Sequence, residues 1–348
     1  MLGATVLNIS MIKSRWTVVI VLLFSILVLP VPVAAEVLPP EEGRYTGPCL
    51  GEDTLESTWF DRSHSYITSM LCQPSIWFDG FFGQHQAGAD WAGSLVRWEG
   101  SYRLDEQEKP VFRSEFDASV RLPKLSKKVR LIVTSKNRDD QTISHPDDDP
   151  FNPEVPPELG TTQESQTTAG LRFYLIDTKK ARLHVGAGIK LGNPVQPYVR
   201  LRLRYTEPLG SSSLVRFTPS IIWLQEDGIN RSVRVDLERR MSKNVLARAS
   251  QSFVREELED GVRWGTVLTL YDRLATVTVL AIEAAATGTT HPQNMVERYR
   301  LAARLRSNFL KDWLFLEVEP EYYWPRDEQG EYHLFRAITF RLEMQFYS

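Results

Sequence analysis

From Trp91 to the C-terminus the chain alternates apolar and polar residues with a period of two, in segments of about ten residues joined by short turn-rich links. In Phe112-Arg-Ser-Glu-Phe-Asp-Ala-Ser-Val-Arg-Leu122 the apolar set is Phe112, Phe116, Ala118, Val120 and Leu122, set against Arg113, Glu115, Asp117 and Arg121. The same pattern recurs in Leu183–Leu191, Val199–Tyr205 and Tyr299–Leu305. Successive side chains of a strand point to opposite faces, so each segment is a strand with one apolar and one polar face.

Three features separate this pattern from a soluble sandwich. Segments of about ten residues, tilted by about 45°, match the apolar band of a membrane barrel, whereas soluble strands usually end at five or six. The aromatics Trp98, Tyr102, Tyr205, Trp223, Trp264, Tyr322 and Trp324 lie near strand ends on the apolar face, where a lipid–water interface favours them. The polar faces carry many arginines, which a dry sandwich core could not accept. The expected fold is therefore all-β, a transmembrane antiparallel β-barrel over residues 91–348. Strands are expected at 91–104, 111–122, 128–135, 167–176, 181–191, 196–206, 213–224, 231–239, 244–254, 261–271, 274–286, 295–306, 312–323 and 333–347. That count is about 14, with 12 as the alternative, because in 274–286 Val277 and Val279 disagree with Leu280 and Ile282 about the outward face. An even count returns both termini to the periplasm. The tight periplasmic turns are then Pro123–Lys127, Asp177–Lys180, Met241–Lys243 and Asp272–Arg273.

Ahead of the barrel, Lys13 and Arg15 precede an uncharged run from Trp16 to Leu29, followed by Pro30, Pro32, Val33, Ala34 and Ala35. Residues 1–35 read as a cleaved signal peptide, the run being shorter than the ~20 residues that span a bilayer. Removing its two basic residues takes the formal net charge from −3 to −5, which argues against a nucleic-acid partner. Residues 36–90 form an N-terminal periplasmic segment containing Cys49 and Cys72, the two cysteines of the chain. Export permits a Cys49–Cys72 disulfide. One continuous helix would hold the two residues about 34 Å apart at ~1.5 Å per residue, far beyond the ~7 Å that a disulfide spans. The bridged segment is expected to fold back as two short helices, as a clasp, a small plug or an ornament. A 31-residue link, Lys136–Gln166, holds eight carboxylates, two basic residues and five prolines and is expected outside the cell. It reads as a solvated loop or, through Asp147, Asp148 and Asp149, as a divalent-ion contact.

The inward parity collects nineteen basic side chains against nine carboxylates, Glu99, Glu115, Asp117, Asp236, Glu238, Glu317, Glu319, Glu321 and Glu343. Glu317–Glu321 can pair across strands with Arg298–Arg306. Segments 181–191, 196–206 and 213–224 contribute no inward carboxylate, leaving a basic stripe of Arg182, Lys190, Arg200, Arg202, Arg204 and Arg216. Such stripes select anions in pores. The histidines at 64, 85, 145, 184, 291 and 333 have neither zinc spacing nor a nucleophile elbow around them, so no catalytic residue, metal or cofactor is assigned. Gly186-Ala-Gly188 reads as a strand with little bulk toward the lumen, not a phosphate cradle.

The last strand places Phe340, Leu342, Met344 and Phe346 on one face and resembles the C-terminal signal recognised by the barrel assembly machinery, although Tyr347 and Ser348 follow where the aromatic usually ends the chain. Trp77-Phe-Asp-Gly-Phe-Phe-Gly83 and Asp312-Trp-Leu-Phe-Leu-Glu-Val-Glu-Pro-Glu-Tyr-Tyr-Trp-Pro-Arg326 resemble a proteobacterial family of uncharacterised exported proteins, from about residue 72 onward. That resemblance implies architecture and outer-membrane localisation and brings no activity. The functional expectation is a passive, anion-leaning pore for small solutes, its partners being outer-membrane lipids, the assembly machinery and small anions. A closed, ion-paired structural or binding barrel is the alternative, and a lipid-modifying enzyme the third.

The cysteine reading is directly testable. Protein recovered from the cell envelope should take up no maleimide at Cys49 or Cys72 until a reductant is added; two freely labelled thiols would overturn the bridge.

Overall fold

The structure, a computed structural model, describes residues 94–122, 126, 128–135, 167–178, 180–210, 212–275 and 277–347. The signal peptide, the N-terminal segment with Cys49 and Cys72, and the whole acidic link 136–166 lie outside the described residues. The strands are β1 (Leu95–Asp105), β2 (Val111–Arg121), β3 (Val129–Thr134), β4 (Thr167–Asp177), β5 (Ala181–Leu191), β6 (Gln196–Leu209) and β7 (Ser213–Leu224). They continue as β8 (Gly228–Arg240), β9 (Val245–Arg255), β10 (Arg263–Ala275), β11 (Thr278–Thr289), β12 (Met295–Phe309), β13 (Lys311–Pro325) and β14 (Phe335–Tyr347).

Each strand pairs antiparallel with its sequence neighbours, and β1 closes on β14 from Leu95↔Tyr347 to Asp105↔Ala337. The count is therefore 14 rather than 12. Strands of 11 residues, at about 3.4 Å each and tilted about 45°, rise roughly 25 Å, the height of a membrane barrel's apolar band.

Exposure separates the two faces. Outward Val199, Leu201 and Tyr205 are exposed, while inward Tyr198 and Arg200, on either side of Val199, are buried. Trp98, Tyr102, Tyr205, Trp223, Trp264, Tyr322 and Trp324 all take the outward parity. Two of their indole N–H groups find acceptors, Trp98 Nε1 donating to Ser114 Oγ at 3.0 Å and Trp264 Nε1 to Asn294 Oδ1 at 3.2 Å. Phe340, Leu342, Met344 and Phe346 also face outward on β14. Phe346 and Met344 pack with Val96, Ala118 and Phe116 across the closing seam.

Two expectations need correction. Asp272 and Arg273 do not form a turn: β10 runs through them to Ala275, with a register shift between Arg273 and Ala275 that absorbs the extra residue. On β11 the conflict resolves with Leu280, Ile282 and Ala284 outward and Val279, Ala281, Glu283 and Ala285 inward. Val277 precedes the strand, so it carries no facing information. The small inward alanines leave room for Glu283, the buried charge that fixes the parity.

At β4–β5 the lumen face is thinned by glycine. A Cβ on Gly188 would come within 2.2 Å of the Ala169 carbonyl oxygen, and one on Gly170 within 2.6 Å of the Tyr198 hydroxyl. Tyr198, the cross-strand partner of Gly188, occupies the space those glycines free.

The facing assignment predicts an asymmetry within β6. Leu201→Arg places a charge in lipid and should destabilise the barrel by about 2–4 kcal/mol near the midplane. Arg202→Gln, one residue on, should cost far less. Equilibrium unfolding from lipid vesicles measures both, and equal costs would invert the faces.

Candidate functional site

Adjacent strands of opposite charge pattern build one side of the lumen. On β13, Glu317-Val-Glu-Pro-Glu321 presents three carboxylates inward, beside Arg298, Arg300, Arg304 and Arg306 on β12. Arg300 reaches Glu321 at 2.6 Å, Glu319 at 2.5 Å and also Glu283 on β11. Arg304 binds Glu319 at 2.5 Å. Arg306 grips Glu343 of β14 with two N–H groups at 2.9 and 3.0 Å, the fork geometry that makes arginine–carboxylate pairs strong. Arg341 binds Glu317 and Glu319, and Arg97 lies 3.3 Å from Glu343. At the end of the lumen where β1 finishes, Arg103 joins Glu321 to Asp105, whose carboxylate accepts the Tyr323 hydroxyl at 2.6 Å. Six guanidiniums, those of Arg97, Arg103, Arg300, Arg304, Arg306 and Arg341, thus meet seven carboxylates, those of Glu99, Asp105, Glu283, Glu317, Glu319, Glu321 and Glu343, and the seventh guanidinium, that of Arg298, lies over the Tyr323 ring. This wall is electrically neutral.

The next sector is nearly balanced as well. Arg234 binds Asp236 at 2.7 Å, and Glu238 lies 3.0 Å from both Arg216 and Arg248. Ser250 donates to Asp236 at 2.6 Å, and the Arg248 guanidinium lies over the Tyr271 ring.

Seven strands around from β12 stands β5, so the wall β3–β7 faces the neutral one. Its inward residues include Arg130, Arg172, Arg182, Lys190, Arg200, Arg202 and Arg204, with His184 among them. Asp177, at the end of β4, is their inward carboxylate and lies 3.2 Å from Arg182. Arg130 sits over the Tyr174 ring and Arg200 over Tyr198, with guanidinium carbons 5.5 and 5.7 Å from the centroids. Tyrosine faces thus brace arginines in a sector short of carboxylates.

All six residues of the expected stripe lie on the inward face of β5, β6 and β7, but two have partners that the sequence reading missed. Arg182 pairs with Asp177 and Arg216 with Glu238. Neither acid lies within β5–β7, and pairing across to a flanking strand depends on register. Arg200, Arg202 and Arg204 remain together on one strand, and Arg130 and Arg172 join them from β3 and β4. Glu283 and Asp105 were missed as inward acids, the first through the ambiguous parity of β11 and the second because it lies at a strand end. Above the mouth, the β13–β14 link is tied by the Glu331 N–H donating to Asp327 at 2.8 Å and by His333 Nε2 at 2.9 Å from the same carboxylate. The Glu331 donation holds the Asp327 carboxyl below its usual range. Among the described residues no group of acids, histidines or cysteines is placed to hold a metal ion.

A closed antiparallel sheet, apolar outside and charged inside, reverses the soluble order and defines a transmembrane β-barrel. Among solved structures the chain is similar to the outer membrane channel DcaP of Acinetobacter baumannii, with 9% identity, 73% of this chain and 96% of that one covered, and a TM-score of 0.41. It is also similar to an anion-selective porin from Comamonas acidovorans, at 6% identity, 73% and 98% coverage and a TM-score of 0.42. A bacterial polysaccharide outer membrane secretin gives 10%, 73%, 99% and 0.43. No protein-family model and no curated protein matches the sequence, so the family resemblance rests on the two aromatic stretches alone.

Glu319, 2% exposed, touches Arg300, Arg304 and Arg341. Removing one partner from a buried ionic cluster strands the others, so Glu319→Gln should destabilise the barrel by about 3–5 kcal/mol. Guanidinium unfolding measures this, and a neutral result would mean the wall is hydrated and loosely paired.

Proposed function

We propose that the chain is exported by its leader, inserts in the outer membrane of a Gram-negative bacterium and acts there as a passive, anion-leaning pore for small solutes. One observation carries this reading: the basic wall β3–β7 faces a wall whose charges cancel. Fourteen strands lie between the eight whose lumen side chains can fill and the sixteen to eighteen of open porins. Arg130, Arg172 and Arg200 of the basic wall are buried, while Arg182, Lys190, Arg202 and Arg204 keep part of their surface open. Water that enters the lumen reaches these four basic side chains. A fixed positive potential beside water concentrates anions and repels cations.

A closed, ion-paired barrel is the second reading, favoured by the burial of the β11–β14 network. The two differ in conductance. Purified protein in a planar bilayer should conduct, with a reversal potential in a KCl gradient on the chloride side. Replacing Arg200, Arg202 and Arg204 together by glutamine leaves the lipid face untouched and should move that potential toward cation preference. No conductance in either protein would favour the closed barrel, and an unchanged reversal potential would make the stripe mere packing.

A further inference from the structure

Two arginines near strand ends face outward. On β8 the outward parity of Leu237, Val235 and Val233 continues to Arg231, and on β9 that of Ala247, Ala249 and Phe253 continues to Arg255. Register sets Arg231 and Arg255 directly opposite each other, and both are exposed. Like charges in that position repel, so the sheet gains nothing from the pair.

Two tryptophans mark its height. Trp223 on β7 stands opposite Ile229, one outward position beyond Arg231 toward the strand end, and Trp264 on β10 stands opposite Phe253, one outward position before Arg255. The pair therefore lies in the aromatic belt, at the level of lipid headgroups. β3, β7 and β9 all finish at this end, which is the end that bears the long β3–β4 link. Long links mark the extracellular side of such barrels, so the pair meets the outer leaflet.

Acids of the adjoining links are engaged elsewhere. Glu226 accepts from Gln196 at 3.1 Å, Glu257 accepts the Ile229 N–H, and Glu256 and Glu259 both hold Arg263. Among the described residues no carboxylate lies within ion-pair distance of Arg231 or Arg255. The opposite rim differs: outward Glu207 there is met by Lys180 at 3.1 Å and by the Tyr205 hydroxyl at 2.7 Å.

The geometry points to Arg231 and Arg255 as a clamp for a phosphate group on a phosphorylated glycolipid of the outer leaflet, the lipopolysaccharide class. Opposed residues on neighbouring strands lie about 5 Å apart, so both guanidiniums reach one phosphate, each with its planar fork of N–H groups. A phosphomonoester carries a charge of about −1.5 to −2, which two guanidiniums balance, whereas the phosphodiester of a glycerophospholipid carries a single charge. Ile221, Ile229 and Phe253, all exposed beside the pair, give acyl chains an apolar bed. The inference rests on the outer-membrane reading and does not need a conducting lumen.

Native mass spectrometry of the full chain in detergent tests it, with diphosphoryl lipid A, dephosphorylated lipid A and phosphatidylglycerol as probes. Diphosphoryl lipid A should be retained roughly tenfold more than either of the others. Arg231→Gln with Arg255→Gln should cut that retention roughly tenfold, while Arg240→Gln with Lys243→Gln, which removes the same charge from the other end of the barrel, should leave it unchanged. Equal retention of the phosphorylated and dephosphorylated forms, or equal retention by the two double variants, overturns the clamp; should the first variant fail to fold, the comparison of the two lipid A forms decides. A conducting barrel without selective retention defeats this inference alone, while selective retention by a silent barrel upholds it and defeats the pore.

Discussion

The hydrogen-bonded seam between β1 and β14 is the constraint on which everything else depends. A sheet edge in lipid leaves unpaired N–H and C=O groups, each costing several kcal/mol, and no water is present to satisfy them. Closure removes the edge along the full length of both strands, from Leu95↔Tyr347 to Asp105↔Ala337. Side chains then reinforce it from both faces. Outside, Phe346 and Met344 pack with Val96 and Ala118; inside, Arg97 of β1 meets Glu343 of β14.

Once the sheet is closed, the pleat decides where every charge lies. Arginines excluded from lipid have nowhere to go but the lumen, and the low dielectric around them raises the stakes of their pairing. On β11–β14 and β1 the sequence supplies acids at matching levels, so that Glu319 alone serves three guanidiniums. On β3–β7 it supplies Asp177 beside Arg182, and tyrosine faces lie against Arg130 and Arg200. The cross-section is therefore lopsided in charge although the chain as a whole is acidic.

This asymmetry is a cost to the fold, since adjacent like charges gain nothing from one another. The basic excess of this wall is thus the feature that carries the functional reading, and not the better-connected ionic network.

Much of this was legible in the chain because a period of two is local information. The alternation in Val199–Tyr205 by itself sends Arg200, Arg202 and Arg204 to the face away from lipid, whatever the neighbouring strands do. The short joints gave the antiparallel order, and the aromatic positions the interfaces. Local pattern failed where it was mixed, as at Val277–Ile282, and at strand ends such as Asp105, Asp177 and Asp272. What no local pattern holds is register, because which residues lie opposite one another is set by bulges, turn lengths and closure over the whole sheet. The sequence by itself determined that the arginines are inside. Only the tertiary structure decided that Arg216 would find Glu238, that Arg182 would find Asp177, and that Arg172 and Arg200 would flank Gly186, since each depends on a neighbouring strand that could slide by two residues without changing its own alternation.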